Sequence, residues 1–302
     1  MLTNGMTRAE FVSLYQDLVA VQYQPPACVA GQEMFDDVPA SNPLCPWIEE
    51  LSRRGITVGC GGSNYCPDAP ATRDQLAVFA VRSMEACPTL DPTDEMIRVG
   101  GVCIDKYEAS VWDAPTGGNQ LTTEAEIDAL CPDDGQDCKD KIFARSVAGV
   151  LPTNSLTWFQ AQQALANSGK RLPSNAEWQM AVSGTPNGAP CLSGALRNTG
   201  AEAGCVSDWG VFDMVGNIAE WVATWVPASS PSVLGCLPWL DVGDFSSDAD
   251  MCLWGARDNP GGTSAMFRGG AWSGGIAAGP FSVYGDHLPQ QAFFYNGFRG
   301  AR

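Results

Sequence analysis

Twelve cysteines set against a single histidine constrain this 302-residue chain more than any other feature. Several stand in short-loop pairs: Cys60 with Cys66, Cys131 with Cys138, Cys191 with Cys205, and Cys236 with Cys252. None has the doubled CxxC spacing of a zinc site, and one histidine cannot complete a Cys/His cluster. The set reads as disulfides formed in an oxidising compartment rather than as scattered reduced core thiols. Spacing leaves the partners of Cys28, Cys45, Cys87 and Cys103 open. The expected location is secreted or cell-surface, of bacterial type. No signal peptide precedes "MLTNGMTRAE", so an exported chain would start after its targeting segment.

Length allows one large domain or two. No apolar run approaches the roughly 18 residues that a membrane span needs. A net charge of −17 repels a polyanion over most of the surface, which argues against a nucleic-acid partner.

Near the N-terminus two segments echo each other, "MTRAEFVSLYQDLVAV" from Met6 and "ATRDQLAVFAVRSMEA" from Ala71. Each has a threonine N-cap followed three residues on by Glu10 or Gln75, a capping box. Apolar residues then recur at helical spacing: Phe11, Leu14, Tyr15 and Leu18 in one, Leu76, Phe79 and Ala80 in the other. Between them a helix carries Trp47, Ile48 and Leu51 and ends at Gly55, before a Gly-rich loop that Cys60 and Cys66 can pin. These motifs resemble the S-layer homology family, with a second repeat from Phe35 to about Glu85 and only the final helix of a preceding one. The resemblance implies a possible cell-wall polymer partner, with Thr72 and Arg73 shaping the site; a plain spacer is the alternative. The predicted organisation is this helical module over residues 1–86, a linker over 87–96 and a large domain over 97–302.

In the large domain helices are few, and Trp, Gly and Pro are many. Thr157 caps a helix bearing Trp158, Ala161 and Leu165 that Gly169 closes; Ser174 and Glu177 form the capping box of a second helix with Trp178, Ala181 and Val182. Two helices with short Gly-punctuated strands predict an α+β domain of low regular secondary structure.

Five segments, "CIDKYEAS", "TWFQAQQALANSGKRLPSNAEWQMAVSG", "WGVFDMVGNIAEW", "FRGGAW" and "GFRGAR", occur in the order and spacing of the formylglycine-generating-enzyme (sulfatase-modifying factor) family. The resemblance implies its variant of the C-type lectin fold. Function must then be tested against residues, because one fold hosts many activities. The family's copper-dependent members hold Cu(I) with two thiolates, and those places fall here on Gly274 and Gly279. A second branch holds iron with histidines, and His287 stands alone. Neither copper nor iron is therefore expected. A hydrolase would need a sheltered, hydrogen-bonded base, a setting the sequence around His287 does not reveal. The expectation is a chain that is not an enzyme. In the same family the stretch "DMVGNIAEW" coordinates calcium, which maps onto Asp213, Gly216, Ile218 and Glu220. Hard oxygen ligands at a tight turn suit that ion, and a hydrogen-bonded turn with no metal is the alternative.

The segment between R-G-G and G-F-R forms the ligand face of this fold. It contains "YGDHLPQQAFFYN", where aromatic anchors stand beside adaptable hydrogen-bonding groups. It resembles the hypervariable segment of variable proteins of diversity-generating retroelements. Ser273, Ile276, Ala277, Tyr284, Asp286, His287, Phe293, Phe294, Tyr295 and Asn296 are accordingly the candidate ligand-binding residues. Gln290 and Gln291 are expected to be scaffold, and Phe281 and Val283 to point inward. The predicted function is non-catalytic recognition of a protein or other macromolecule, such as one carried by another cell or a virus. A fixed-specificity binding or scaffold member of the family is the alternative, followed by an oxidoreductase of that family.

Overall fold

The computed structural model describes residues 6–19, 25–53, 55–85, 87, 89–227, 237–238, 250–253 and 262–302. Backbone contacts divide the chain into two compact units, Met1–Leu90 and Asp91–Arg302.

The first unit contains helices α1 (Arg8–Val19), α2 (Cys45–Arg53) and α3 (Arg73–Glu85). Both echoing segments have reciprocal caps. Thr7 Oγ1 accepts from the Glu10 amide at 3.2 Å while the Thr7 amide donates to Glu10 Oε2 at 2.7 Å, and Thr72 and Gln75 do the same at 3.2 and 3.1 Å. Trp47, Ile48 and Leu51 bury one face of α2 against Phe11, Val12, Tyr15 and Phe79. The apolar stripes are narrower than their spacing suggested: Leu14 is exposed and Val12 takes the buried place, and Ala80 is exposed. Cys28 pairs with Cys45, and Cys60 with Cys66 across the Gly-rich loop.

The second unit starts earlier than the sequence suggested. Asp91 and Asp94, which fall inside the expected linker, are buried: Asp91 pairs with Arg145 at 3.1 Å, and Asp94 shares Lys170 with Asp105 at 2.6 and 2.7 Å. Strands β1 (Met96–Val99) and β2 (Val102–Asp105) form an antiparallel hairpin. Strand β3 (Ala109–Trp112) lies between β4 (Gln120–Leu121) and β5 (Phe143–Ser146). The largest sheet joins β6 (Ala219–Val226), β7 (Leu237–Pro238), β8 (Asp250–Leu253), β9 (Ser264–Arg268), β10 (Val283–His287) and β11 (Asn296–Phe298) in the order β11-β6-β9-β10-β8-β7. Helices α4 (Glu124–Asp128), α5 (Trp158–Asn167) and α6 (Asn175–Ala181) each begin with a complete capping box, on Thr123, Thr157 and Ser174. Cys131 bonds Cys138 and Cys191 bonds Cys205; Cys87 and Cys103 are each disulfide-bonded. The Cys236–Cys252 pair predicted from spacing lies outside the described residues.

The centre of the large sheet carries the segment expected to form the ligand face. Strand β9 is buried along its whole length, with Phe267 packed edge-on to Trp221 of β6. The chain then reverses through Gly269 and Gly270, at φ +82° and +71°. A Cβ on Gly269 would meet the Met214 carbonyl oxygen at 2.7 Å, and one on Gly270 the Ala278 Cα at 2.5 Å, so glycine is required twice for both conformation and space. Arg268, just before this turn, is buried with its guanidinium 4.4 Å from the Trp178 ring centre, and donates to the Ser282 and Pro280 carbonyls at 2.8 and 3.0 Å. Burial pulls its pKa down to about 10. Strand, turn and returning loop are thereby locked to α6.

Candidate ligand-binding face

Strand β10 runs antiparallel to β9 and shifts register within its short length. Tyr284 pairs with Phe267 and His287 with Ala265, three residues on one strand against two on the other. This extra residue is a β-bulge. Strict alternation would put Tyr284 and Asp286 on one face and His287 on the other. The bulge instead gives Tyr284 and His287 the same face and turns Asp286 into the protein, where it is 2% exposed. Tyr284 lies flat on Phe267, ring centres 5.0 Å apart and planes within 4°.

The irregular segment after β10 is held by backbone bonds to its scaffold. The Trp158 amide, at the start of α5, donates to Pro289 O at 2.9 Å, the Ser155 amide to Phe293 O at 3.1 Å, and the Ala219 amide to Tyr295 O at 2.8 Å. Gln291 closes the turn, its Oε1 accepting from the Leu288 amide at 2.9 Å and its amide donating to Leu288 O at 3.0 Å. Its expected scaffold role has this local basis, and Gln290 is exposed.

The rings form one connected layer. His287 meets Phe293 edge-on at 4.5 Å, Phe293 stacks on Tyr295 at 5.2 Å, and Phe294 contacts Tyr295 at 5.1 Å and Trp272 at 6.2 Å. His287 Nδ1 is 2.6 Å from Asp286 Oδ1, and its Nε2 is 3.3 Å from the Tyr295 hydroxyl. The buried carboxylate favours the tautomer with the proton on Nδ1, leaving Nε2 to accept from Tyr295. The histidine is thus held on both nitrogens, which sequence context did not reveal.

A cavity of about 240 Å³ opens within this layer. Tyr284, His287 and Tyr295 supply its aromatic walls, Phe267 and Ala219 its sheet side, and Gly270, Ala271, Ser273, Gly274 and Ala277 the remainder. Of the residues predicted from sequence, Ser273, Ala277, Tyr284, His287 and Tyr295 converge on it. Phe293 is half-buried beside His287, and Phe294 is 58% exposed. Ile276 belongs to the short 3-10 turn Gly275–Ala277, and its side chain lies outside the described residues. Two predicted positions are corrected. Asp286 is buried by the bulge, and Asn296 is fully buried because β11 pairs in parallel with the central strand β6, Asn296 opposite Ala219. Neither polar atom of the Asn296 amide has a hydrogen-bond partner among the described residues. Val283 points inward as expected, whereas Phe281 is only half-buried.

Two of the residues expected to hold calcium, Asp213 and Glu220, accept hydrogen bonds from protein donors. Glu220 Oε2 accepts from Trp178 Nε1 at 2.6 Å and Arg299 Nε at 2.7 Å, and its Oε1 accepts from Arg299 Nη2 at 2.6 Å. A buried guanidinium already neutralises this carboxylate and occupies most of its lone pairs. Asp213 Oδ2 accepts from the Gly200 amide at 2.6 Å. The turn between them is fastened by Glu108, whose Oε1 accepts from the Ile218 amide at 3.0 Å and Oε2 from Asn217 Nδ2 at 2.5 Å. Glu108 is fully buried, and burial, followed by the nearby Asp213 and Glu220 charges, pushes its pKa well above the carboxylate range. Asp213, Gly216, Ile218 and Glu220 thus all take part in a hydrogen-bonded turn, the metal-free alternative stated above.

Residues 192–302, which include the face, match the family model of the sulfatase-modifying factor enzyme 1-like domain. The surrounding unit mixes short helices with short strands, the α+β class of low regular secondary structure expected from sequence. Among solved structures, the Major Tropism Determinant P3c variant is similar at 19% identity and a TM-score of 0.38, over 70% of this chain and 53% of that one. Treponema denticola variable protein 1 is similar at 16% identity and a TM-score of 0.29, over 70% of this chain and 99% of that one. CarF is similar at 16% identity and a TM-score of 0.30, over 67% of this chain and 85% of that one. This chain thus spans about half the length of the tropism-determinant structures. No curated protein sequence matches it. No helix among the described residues is long and apolar enough to cross a membrane.

Proposed function

We propose that this protein is a non-catalytic recognition protein that binds a macromolecule, most simply another protein, through its C-terminal aromatic face, and that this face is a retroelement-diversified one. The observation that carries the reading is the division of labour within residues 268–302. Arg268, the two glycines after it, Phe298 and Arg299 are buried scaffold, while Tyr284, His287, Phe293, Phe294 and Tyr295 form a ring-lined surface on loops and a bulged strand. Rigid framework with variable-tolerant loops is how binding faces are built. From Gly269 to Phe298 the one formally charged residue is Asp286, and it is buried. Aromatic enrichment with loss of charge distinguishes the centre of protein interfaces. Burial of the exposed Phe294 ring could contribute roughly 1.5–3 kcal/mol before the costs of association, and the half-buried rings less.

The family resemblance puts glycines, Gly274 and Gly279, where copper-binding members have thiolates, which supports recognition over oxidation chemistry. The paired cysteines fit an oxidising, extracellular setting. In this reading the N-terminal helical unit, with Thr72 and Arg73 exposed at the start of α3, attaches the chain to a wall polymer.

The test is a surface-displayed library of the full chain with Tyr284, His287, Phe293, Phe294 and Tyr295 randomised together, panned against hen lysozyme. A permissive face predicts display near the parental level and recovery of lysozyme binders. Collapse of display across the library would contradict the reading, because these five side chains would then be core.

A further inference from the structure

We propose that the cavity between β9, β10 and the Gly270–Ala277 loop is a socket for one uncharged aromatic side chain, of tyrosine or tryptophan type, presented by a protein partner. The inference rests on the recognition reading above and names what enters the face.

Size comes first. At about 240 Å³ the cavity is smaller than the roughly 300–1,000 Å³ typical of drug-sized ligands, and larger than the cavity of about 150 Å³ that holds benzene. One substituted ring fills such a space. Shape comes next. Four of its walls, Phe267, Tyr284, His287 and Tyr295, are flat rings, so a flat guest gains offset-stacked or edge-to-face contacts that a branched aliphatic chain cannot make.

Charge then selects among partners. The protein carries −17 overall, yet the only formally charged side chain between Gly269 and Phe298 is the buried Asp286, which faces His287 Nδ1. An ammonium or carboxylate guest would lose its hydration without an exposed counter-charge in that segment. A neutral ring loses little on entering.

The socket is also preformed. The Trp272 amide donates to Asn217 O at 2.9 Å, the Gly279 amide to Gly269 O at 3.1 Å and the Ala278 amide to Gly275 O at 3.1 Å, which hold the loop side of the cavity. Phe267 sits on the buried central strand. A guest therefore need not order its own site, and little affinity is spent on rearrangement.

The experiment titrates the full chain with the N-acetyl amides of tyrosine, tryptophan, leucine, lysine and glutamate, followed by saturation-transfer NMR on the amide. Tyrosine and tryptophan amides should bind in the millimolar range, at least about tenfold tighter than the other three. Two variants on the cavity lining, Ala277→Trp and Ser273→Trp, should each fill the socket and weaken the aromatic amides at least about tenfold. Equal binding of all five amides, preference for lysine or glutamate, no aromatic binding up to about 10 mM, or aromatic binding unaltered by either variant would overturn the proposal. If both variants misfold, the ranking on the parental chain decides. Failure here with lysozyme binders recovered from the library leaves the recognition reading standing; success here with a library that does not display leaves the socket standing alone.

Discussion

Replacing Arg299 by methionine should be the most damaging single change in the scaffold of the face. Its guanidinium is fully buried, donates twice to Glu220 at 2.7 and 2.6 Å, and also donates to the Asp105 and Phe212 carbonyls at 2.8 and 2.9 Å. Removing one partner of a buried ion pair costs about 3–5 kcal/mol, because the remaining charge keeps its desolvation penalty. For a unit of this size about 2–4 °C is lost per kcal/mol, so the melting temperature should fall by roughly 10 °C. Arg299 also offsets the repulsion that Glu108 feels from Asp213 and Glu220. The sign with pH follows. Burial and these two carboxylates raise the folded-state pKa of Glu108, so its stabilising contribution is present below the unfolded value and is lost as pH rises through the folded one. Without Arg299 that pKa rises further. The deficit of Arg299→Met should therefore be largest at pH 7 and shrink toward pH 5, and the double change Glu220→Gln/Arg299→Met should recover part of it. Thermal unfolding followed by circular dichroism at the two pH values measures both. A drop under about 2 °C, a deficit independent of pH, or a double variant no better than the single one would refute the reasoning.

The other predictions concern separate parts of the molecule. Phe294→Ala should alter stability by no more than about 0.5 kcal/mol in urea unfolding, whereas Phe267→Ala should cost about 3–5; similar values for the two would contradict the assignment of face and core. Transfer from calcium to excess EDTA should leave the melting temperature unchanged, since Arg299 occupies Glu220, and a fall of several degrees would show that the ion has its own place at the Asp213–Glu220 turn. Glu177, held by the Arg171 hydrogen bond and the Ser174 cap, has its pKa lowered to about 2 from 4.5. Its stabilising contribution is present above the unfolded value and is lost as pH falls toward 2. Arg171 is exposed and Glu177 partly so, and solvent screens the pair, so Glu177→Gln should cost less than about 1 kcal/mol at pH 7 and nothing at the acid end; a gap that widens on acidification would be the wrong sign.

Where the chain carries local chemistry, its structure was readable from sequence. The capping residues Thr7, Thr72, Thr157 and Ser174 start their helices because a side-chain oxygen and an answering Glu or Gln three residues on are both local. Cys60 and Cys66, Cys131 and Cys138, and Cys191 and Cys205 pair for the same reason, and the R-G-G glycines sit where no side chain fits. The misreadings have a long-range origin. Asp91 and Asp94 look like linker residues beside prolines and a threonine, yet Arg145 and Lys170 bury them from far along the chain. Asp286 and Asn296 look like loop polar groups. A one-residue bulge against β9 and a parallel pairing with β6 turn them inward, and neither partner is nearby in sequence. The sheet side of the socket, Phe267 and Ala219, was missed because it becomes a wall only when three strands are assembled. Alternating burial along "SAMFR" would have singled out nothing, since all five residues are buried. The ion pair of Arg299 with Glu220 was likewise illegible, because no local pattern announces that reach.

The most direct test of the central claim is to sequence the C-terminal segment from many sibling clones of the source population. A diversified recognition face predicts substitutions concentrated at the exposed and pocket-lining positions Tyr284, His287, Phe293, Phe294 and Tyr295. Gly297, Phe298 and Arg299 should stay fixed, because a Cβ at 297 would meet the Thr153 carbonyl oxygen at 2.5 Å and Arg299 neutralises Glu220. A segment identical in every clone, or substitutions spread evenly through face and scaffold alike, would contradict it.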